Sequence, residues 1–474
     1  MIARIYPHAF TGEVTVPASK SHAIRRLVLA SLTDGISHIE LPPDSMPGLD
    51  IQSCAAACRV LGADITEERD SGLTGWTVRG HKPSSADDTA KSADPDTPDK
   101  ERVIDVGNSG TTLFFAIAAA ALGSAPVTFT GDSQIACRSA GPLLDALAGL
   151  GVTVSSHNGC IPITVRGPWK GGSVSVSCAT SQYLSALLIA APLAPQGTIT
   201  EIEVPLLNEK PYVEMTLAYL KAQLQISEAE LNSVKADLLQ GSITAAPDFS
   251  RFRIQGGCAY TPVNGPIPGD FSSAAFPAAA AAISGGNVTL RGLDPGDTQG
   301  DKVFFEYLAR MGCDVRWTGG GGNWRVTVSR SGPLRGSVFD LNAAPDLLPV
   351  MATLGAFAEG ETVLVNAAHA RIKETDRIAV MAAELRKLFA GGVFRCEEKP
   401  DGLVLGTADG GTADYARIAG TDITLDGRGD HRIVMALACA VLGLPARSGS
   451  VSIAGAEAAD VTYPGFLELL GKVI

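Results

Sequence analysis

The chain repeats itself six times. Stretches that open on a polar cluster, stop near a Gly and lead into a Val/Thr/Ile-rich segment begin at Ser21 (SHAIRRLVLASLTDGISHIEL), Ser109 (SGTTLFFAIAAAALGSAPVTFTG) and Ser181 (SQYLSALLIAAPLAPQGTITEI). They recur at Ser272 (SSAAFPAAAAAISGGNVTLRG), Asp346 (DLLPVMATLGAFAEGETVLVN) and Asp430 (DHRIVMALACAVLGLPARSGSVSI). The spacing, roughly 70 to 90 residues, is that of a repeated supersecondary unit. A second helical stretch follows each strand and ends in a Gly and another strand, clearly in DIQSCAAACRVLGADI, GPLLDALAGLGVTV, DKVFFEYLARMGCDV and ETDRIAVMAAELRKLFAGGVF. The fit is looser in YVEMTLAYLKAQLQI, and the last unit ends in PGFLELLGKVI. Each unit therefore reads as helix, strand, helix, strand, which makes the chain α/β. A single core stops growing near roughly 250 to 300 residues, so 474 residues in six units divide into two domains of three. The Pro- and Gly-rich PVNGPIPGD near residue 265 marks the crossover. The expected domains are 18–265 and, for the second, 1–17 with 266–474.

Composition narrows the function classes. Aromatic residues make up only 6% while Gly numbers 52, so Ala-rich helices such as AAFPAAAAAISGG carry much of the packing. A formal charge of −12 argues against a nucleic-acid partner, whose phosphates demand a broad basic surface. Any anion site must be local. The nine cysteines show neither metal-ligand spacing nor a secreted disulfide framework, and they read as small buried hydrophobes. The start, MIARIYPHAF, has no signal-peptide character and no apolar run approaches the roughly 18 residues of a membrane span. A cytoplasmic protein without a membrane partner is expected. Residues 81–102, HKPSSADDTAKSADPDTPDKER, lack large apolar side chains and read as a disordered surface insertion.

The polar clusters at the repeat starts carry the chemistry. In order they are Ser19-Lys20-Ser21, Asn108-Ser109-Gly110-Thr111, Thr180-Ser181-Gln182, Asp270-Phe271-Ser272, Pro345-Asp346 and Asp430-His431-Arg432. Helix capping, worth about 1 kcal/mol at each, accounts for most of them taken singly. It does not account for Lys20, Arg25, His431 or Arg432, since cations at a helix N-terminus oppose the macrodipole. Helix N-termini converging on a cleft, with free N–H groups and basic side chains, would bind several anionic groups. HARIKETDRIAVMAAEL places Lys373, Glu374 and Arg377 around the start of a second-type helix, with Lys373 and Arg377 at i and i+4 on one face. Arg138 stands just ahead of another helix, and Asp346, in an otherwise apolar run, is either a cap or a carboxylate kept for proton transfer.

VPASKSHAIRR, GNSGTT, ATSQYLSALL, GDFSSAAF, RIKETDR and GDHR, in this order and across essentially the whole chain, resemble the 3-phosphoshikimate 1-carboxyvinyltransferase family of enolpyruvyl transferases. The resemblance implies an α/β (α+β) fold of two domains, each with three repeats of a βαβαββ unit, the inside-out α/β barrel. It implies transfer of the enolpyruvyl group of phosphoenolpyruvate to the 5-hydroxyl of shikimate 3-phosphate by addition and elimination, without metal or organic cofactor, in a monomer whose partners are these small molecules. By resemblance, Lys20 is catalytic and contacts both substrates. Ser21, Arg25, Thr180, Ser181, Gln182, Asp346, His369 and Lys373 bind shikimate 3-phosphate. Asn108, Gly110, Thr111, Arg138, Gln182, Arg377 and Arg432 bind phosphoenolpyruvate. Asp346 accepts the hydroxyl proton, Glu374 exchanges a proton with the methylene carbon, and His431 joins the catalytic set.

Five positions depart from the family pattern. Phe114, Gln134 and Val461 stand where basic residues are common, Glu209 replaces a serine that helps bind the shikimate phosphate, and His369 occupies a position often held by Asn. Weakened affinity for phosphoenolpyruvate is expected from them. Two other readings are a non-catalytic ligand-binding relative and the sister transferase that acts on UDP-N-acetylglucosamine. The sister's reactive cysteine position, five residues before Arg138, is here Ser133.

Overall fold

The computed structural model describes all residues except 44, 71, 82–101, 227–242, 390–393, 408–421, 446–450 and 472–474. The 81–102 insertion expected from composition thus lies outside the described residues, apart from His81 and Arg102. What is described falls into two compact units. The N-terminal unit comprises Lys20–Leu41 and Asp50–Ile267, and the C-terminal unit comprises Met1–Ser19, Pro42–Leu49 and Pro268–Ile474. The short Pro42–Leu49 segment has no counterpart in the boundaries expected from sequence.

Among the described residues, five four-stranded sheets and one three-stranded sheet stand for the six repeats. The plainest repeat runs strand Arg102–Asp105, helix Gly110–Ala120, strand Val127–Thr130, helix Gly141–Gly149 and strands Thr153–His157 and Cys160–Arg166. Its first two strands pair in parallel and the remaining pairs are antiparallel, with the last strand lying inside the sheet and the one before it at the edge. The same parallel, antiparallel, antiparallel sequence builds the sheet of Gly172–Cys178, Ile199–Leu207, Arg251–Gln255 and Ile243–Ala245. It also builds that of Val338–Asp340, Thr362–Val365, Gly402–Thr407 and Phe394–Lys399. A strand ahead of each leading helix and a hairpin after the second complete the helix, strand, helix, strand pattern that periodicity reveals.

Two repeats exchange their first strands. Thr11–Thr15, which precedes the Lys20–Ser31 helix in the chain, pairs in parallel with Asn287–Arg291, whereas Gly265–Pro266, which precedes the Phe271–Ser284 helix, pairs with Ile36–Glu40. In the sixth repeat the C-terminal helix is only Phe466–Leu470, and the N-terminal strand Ile2–Ile5 pairs antiparallel with Val451–Ala454 to finish the sheet.

Composition explains the packing of the leading helices. Ala274, Ala275 and Ala278 to Ala282 have no exposed surface, so the Phe271–Ser284 helix is enclosed all round. A helix apolar on every face belongs inside a core. Ala side chains let His431–Leu442, buried along its whole length, pack beside it in the same cluster. The strands instead alternate, as in Ile2–Ile5 and Asn287–Arg291, and cover that core with one face.

All nine cysteines are free thiols. Seven are buried, whereas Cys137 is exposed and Cys160 half-buried, which corrects the expectation that they serve only as core hydrophobes. No helix among the described residues is long and apolar enough to cross a membrane.

Adjacent glycines test the seating of the N-terminal strand. A Cβ on Gly286 would lie 1.8 Å from the Phe10 carbonyl oxygen, which also accepts the Asn287 N–H at 3.1 Å. Gly285 closes the preceding helix at φ 73° with open space around it. Gly286→Ala is expected to cost about 2 to 3 kcal/mol through overpacking, against about 1 kcal/mol for Gly285→Ala, where only the left-handed backbone resists. Urea unfolding midpoints of the two variants check the order.

Candidate active site

In the C-terminal unit, one guanidinium gathers three carboxylates from two repeats. Asp376 accepts the Ala379 N–H and caps the Arg377–Leu388 helix, which makes Arg377 its first residue. The side chain is fully buried, and Nε donates to Asp430 Oδ2 at 2.8 Å, Nη1 to Asp346 Oδ1 at 2.7 Å and Nη2 to Glu374 Oε2 at 2.5 Å. Asp346 lies in the 3-10 turn Pro345–Leu347 that opens the leading helix of the same repeat, and Asp430 caps the leading helix of the next, which begins at His431. Burial disfavours the charge on Arg377, but Asp430, Glu374 and Asp346 together outweigh it and raise its pKa.

Arg432 follows one position inside that helix. Its Nη2 reaches Ser272 Oγ at 3.0 Å and Asp346 Oδ2 at 2.8 Å, so Asp346 bridges two guanidinium groups. The Arg432 Nε and Nη1 atoms are buried without a hydrogen-bond partner among the described residues. Burying donors in that state is unfavourable, and a ligand oxygen would satisfy them. Burial lowers the Arg432 pKa and Arg377 adds to that, while Asp346 works against both and the net shift is upward.

The remaining C-terminal residues singled out in the sequence sit close by in the chain. His369 is buried in the Ala368–Ile372 turn with Nε2 at 3.2 Å from the Asn342 carbonyl oxygen. His431 is buried at the first position of its helix. Lys373 closes the Ala368–Ile372 turn and precedes the helix by several residues. The i, i+4 face expected for Lys373 and Arg377 is therefore absent. The Asp376 cap delays the helix start until Arg377.

In the N-terminal unit the basic groups are also held by their own carboxylates and carbonyls. Lys20 Nζ pairs with Asp50 Oδ2 at 2.9 Å, and Asp50 is almost fully buried in the first turn of the Leu49–Val60 helix. Arg25, 2% exposed, donates from Nε to Thr216 Oγ1, from Nη1 to the Ser21 carbonyl and from Nη2 to the Tyr212 carbonyl and Ser185 Oγ. Its guanidinium also faces the Phe115 ring at 5.3 Å. Desolvation brings its pKa down to about 10, with Tyr219, Tyr212 and Glu209 opposing the shift.

Gly110 is the first residue of the Gly110–Ala120 helix, which Ser109 caps by accepting the Thr112 N–H. A Cβ there would stand 2.7 Å from Arg138 Nη1 and 3.6 Å from Gln182 Oε1. Gly110, Arg138 and Gln182 therefore share one locus, with Thr111 next along the helix. Asn108 Nδ2 donates to Gln134 Oε1, while Asn108 Oδ1 is buried without a partner among the described residues. Phe114 packs edge-on against Tyr183 with ring centres 5.0 Å apart, so an aromatic contact takes the place of a basic side chain.

Thr180 and Ser181 meet at the start of the Ser181–Ala190 helix. Thr180 accepts the Gln182 N–H, and Thr180 Oγ1, Ser181 N and Ser181 Oγ all donate to Glu209 Oε2, at 2.9, 3.0 and 2.9 Å.

Four contributors escaped the sequence reading as members of the site: Asp50, Asp430 as an ion partner, Ser272 and Thr216. Asp430 and Ser272 stood in clusters marked for capping. Asp50 carried the weaker signal of an acid in the first turn of a helix, and nothing in its own segment points to Thr216.

The comparisons with known proteins agree over the whole chain. The model of the EPSP synthase (3-phosphoshikimate 1-carboxyvinyltransferase) family matches residues 6–470. A 3-phosphoshikimate 1-carboxyvinyltransferase of Acetivibrio thermocellus is 42% identical over 474 residues, covering 100% of this chain and 98% of the relative. One of Halobacterium salinarum is 38% identical, covering 99% and 98%. Among solved structures, an EPSP synthase from Acinetobacter baumannii superposes with a TM-score of 0.71 at 24% identity, covering 100% of this chain and 99% of that one. The enolpyruvyl transferase NikO from Streptomyces tendae gives 0.68 at 17%, covering 100% and 98%. At those identities the structural matches speak for the enolpyruvyl transferase fold. On the family match and the full-length relatives, this chain belongs to the EPSP synthase (3-phosphoshikimate 1-carboxyvinyltransferase) family and is an enzyme.

Proposed function

We propose that the chain carries out its family's enolpyruvyl transfer with two sets of side chains, one in each unit, acting on shikimate 3-phosphate and phosphoenolpyruvate in aromatic amino-acid biosynthesis. In the addition, the 5-hydroxyl oxygen bonds to C2 of phosphoenolpyruvate, its proton passes to a base and a proton is delivered to the C3 methylene. In the elimination, C3 gives a proton back, the C2–C3 double bond re-forms and phosphate leaves with the electrons of its bond to C2. The chemistry therefore needs one base at oxygen and one group at carbon that serves first as acid and then as base.

Asp346 is the base at oxygen and Glu374 the group at carbon. The observation that carries this assignment is their seat on the two terminal nitrogens of one guanidinium, Arg377 Nη1 and Nη2. The oxygen and the methylene carbon both bond to C2, so the proton-transfer groups must stand side by side. Arg432 suits the phosphoenolpyruvate carboxylate, because its Nε and Nη1 donors have no hydrogen-bond partner among the described residues. Arg377 is mostly committed to protein carboxylates and adds little beyond one Nη1 N–H. His369, Lys373 and His431 complete the C-terminal set.

The N-terminal set divides in the same way. Lys20 serves both substrates, with Asp50 fixing its ammonium. Asn108, Gly110, Thr111, Arg138 and Gln182 take phosphoenolpyruvate, supported by the approach of Gly110, Arg138 and Gln182 to one another. Ser21, Arg25, Thr180 and Ser181 take shikimate 3-phosphate. The reading includes a monomer acting in the cytoplasm, in keeping with small-molecule substrates and an acidic surface without a nucleic-acid partner.

Phosphate release on mixing the protein with both substrates, with the product identified by mass, is the direct test. Turnover is expected, and Glu374→Gln is expected to lower kcat by about 10³-fold, within the range of a lost acid–base group. Binding of shikimate 3-phosphate without phosphate release by the unaltered protein would favour a non-catalytic relative instead. Gly110→Ala tests the phosphoenolpyruvate locus. The added methyl pushes Arg138 Nη1 from its place and is expected to raise KM for phosphoenolpyruvate about tenfold. KM for shikimate 3-phosphate should stay within about twofold in the same initial-rate measurements.

A further inference from the structure

The Thr180–Ser181 site already holds an anion. Glu209 is 3% exposed, and a single oxygen of its carboxylate receives both hydroxyls and the first backbone N–H of the Ser181–Ala190 helix. Its backbone pays for that position in strain: φ is 56° and ψ 39°, the left-handed region that residues with a Cβ seldom adopt. Lys210 and Pro211 follow at once and begin the Lys210–Leu224 helix, so the strained residue is pinned by an element on its C-terminal side. The Lys210 ammonium lies over the Phe249 ring at 4.6 Å from its centre. Capping alone does not explain this geometry, because Thr180 itself accepts the Gln182 N–H.

The donors that hold Glu209 are the ones the preceding section assigns to the shikimate phosphate, and this inference rests on that reading. Two anions within about 4 Å of each other in a buried site repel strongly, so carboxylate and phosphate exclude one another there. Arg25 benefits from either, since Glu209 supports its charge from a distance and an arriving phosphate supplies the same sign. We propose that Glu209 is a tethered anion in the acceptor's phosphate subsite, which holds Thr180 and Ser181 in place when the site is empty and must be displaced by shikimate 3-phosphate. It lowers apparent affinity by the fraction of molecules in which the carboxylate has left.

Calorimetric titration of the intact chain and of Glu209→Ser and Glu209→Gln, each with shikimate 3-phosphate, shikimate and inorganic phosphate, tests this. Both variants are expected to bind shikimate 3-phosphate and inorganic phosphate more tightly, by about ten- to a hundredfold if the displaced state is a 1–10% population. Shikimate, which brings no phosphate, should bind them as it binds the unaltered chain. Ligand-free melting temperatures should fall by a few degrees, as the helix loses its charged internal acceptor. The glutamine variant keeps the shape and separates loss of charge from loss of packing. Equal or weaker binding of both phosphate-bearing ligands by both variants overturns the proposal, as does failure of all three proteins to bind either one. Tighter inorganic phosphate without any binding of shikimate 3-phosphate upholds the displaced anion and instead overturns the choice of acceptor.

Discussion

A guanidinium with no exposed surface cannot be left to water, and that constraint organises the C-terminal unit. Arg377 is held by Asp346, Glu374 and Asp430, which come from positions dozens of residues apart and from the starts of different elements. Removing one member of a buried ion pair costs about 3 to 5 kcal/mol, because the survivor is stranded. Net stabilities of proteins are only about 5 to 15 kcal/mol. The three segments are therefore tied to one register by the same groups that the proposed chemistry uses. Asp346 gains a second tie through Arg432, which leaves that arginine with donors to spare, whereas Arg377 has almost none. Two arginines that look equivalent in sequence thus differ in role: one organises carboxyl groups and the other is open to a ligand.

The exchange of first strands gives the repeats a second kind of linkage. Thr11–Thr15 and Gly265–Pro266 each complete a sheet whose other strands lie hundreds of residues away, and Ile2–Ile5 closes the sheet of the last repeat. A parallel strand has to be delivered by a crossover and cannot come from a hairpin. Once a repeat contains one parallel pair at its entry, the donor of that strand can be any segment that ends nearby. This leaves the repeat architecture unchanged while the chain path is rewired. It also ties the N-terminus into the C-terminal unit, where the Phe10 carbonyl backs directly onto Gly286.

Much of this is legible in the sequence, but unevenly. The Ala-rich stretches gave the leading helices because their periodicity is local. Periodicity does not mark the short entry strands for the same reason, and only the βαβαββ unit implied by the family resemblance includes them: Gly265–Pro266 is two residues long, and only a partner from a distant segment makes it a strand. RIKETDR and GDHR read as chemistry from their residue types, and their spacing sets Lys373 on a helix that in the structure begins only at Arg377, because a single Asp cap decides where the helix starts. Asp430 was seen as a cap and not as an ion partner, since capping is written in neighbouring positions and pairing with Arg377 is not. Glu209 stood out as a departure from the family pattern. Its contact with Thr180 and Ser181 requires a left-handed backbone that no propensity would assign to Glu.

One arrangement recurs in both units and bears on how such a site works. Lys20 rests on Asp50, the Thr180–Ser181 donors rest on Glu209, and Arg377 rests on three carboxylates, so these donor groups, two of which the proposed reaction gives to substrate anions, already face negative charge. In a chain of net charge −12 this keeps buried cations aimed while the carboxylates offset their mutual repulsion. A substrate anion then gains less than it would from bare cations, because it shares or displaces an internal partner. The compensation is geometric. Donors fixed in advance lose little freedom when the ligand arrives, and electrostatic stabilisation is most effective where the dipoles need not reorganise. Asp50 and Asp430 have roles that a substrate leaves intact, since Asp430 also caps a helix and Asp50 is buried beneath its lysine. Glu209 differs from them, because it occupies the donors themselves. Internal carboxylates of the first kind preorganise a site, and one of the second kind sets a threshold for entering it.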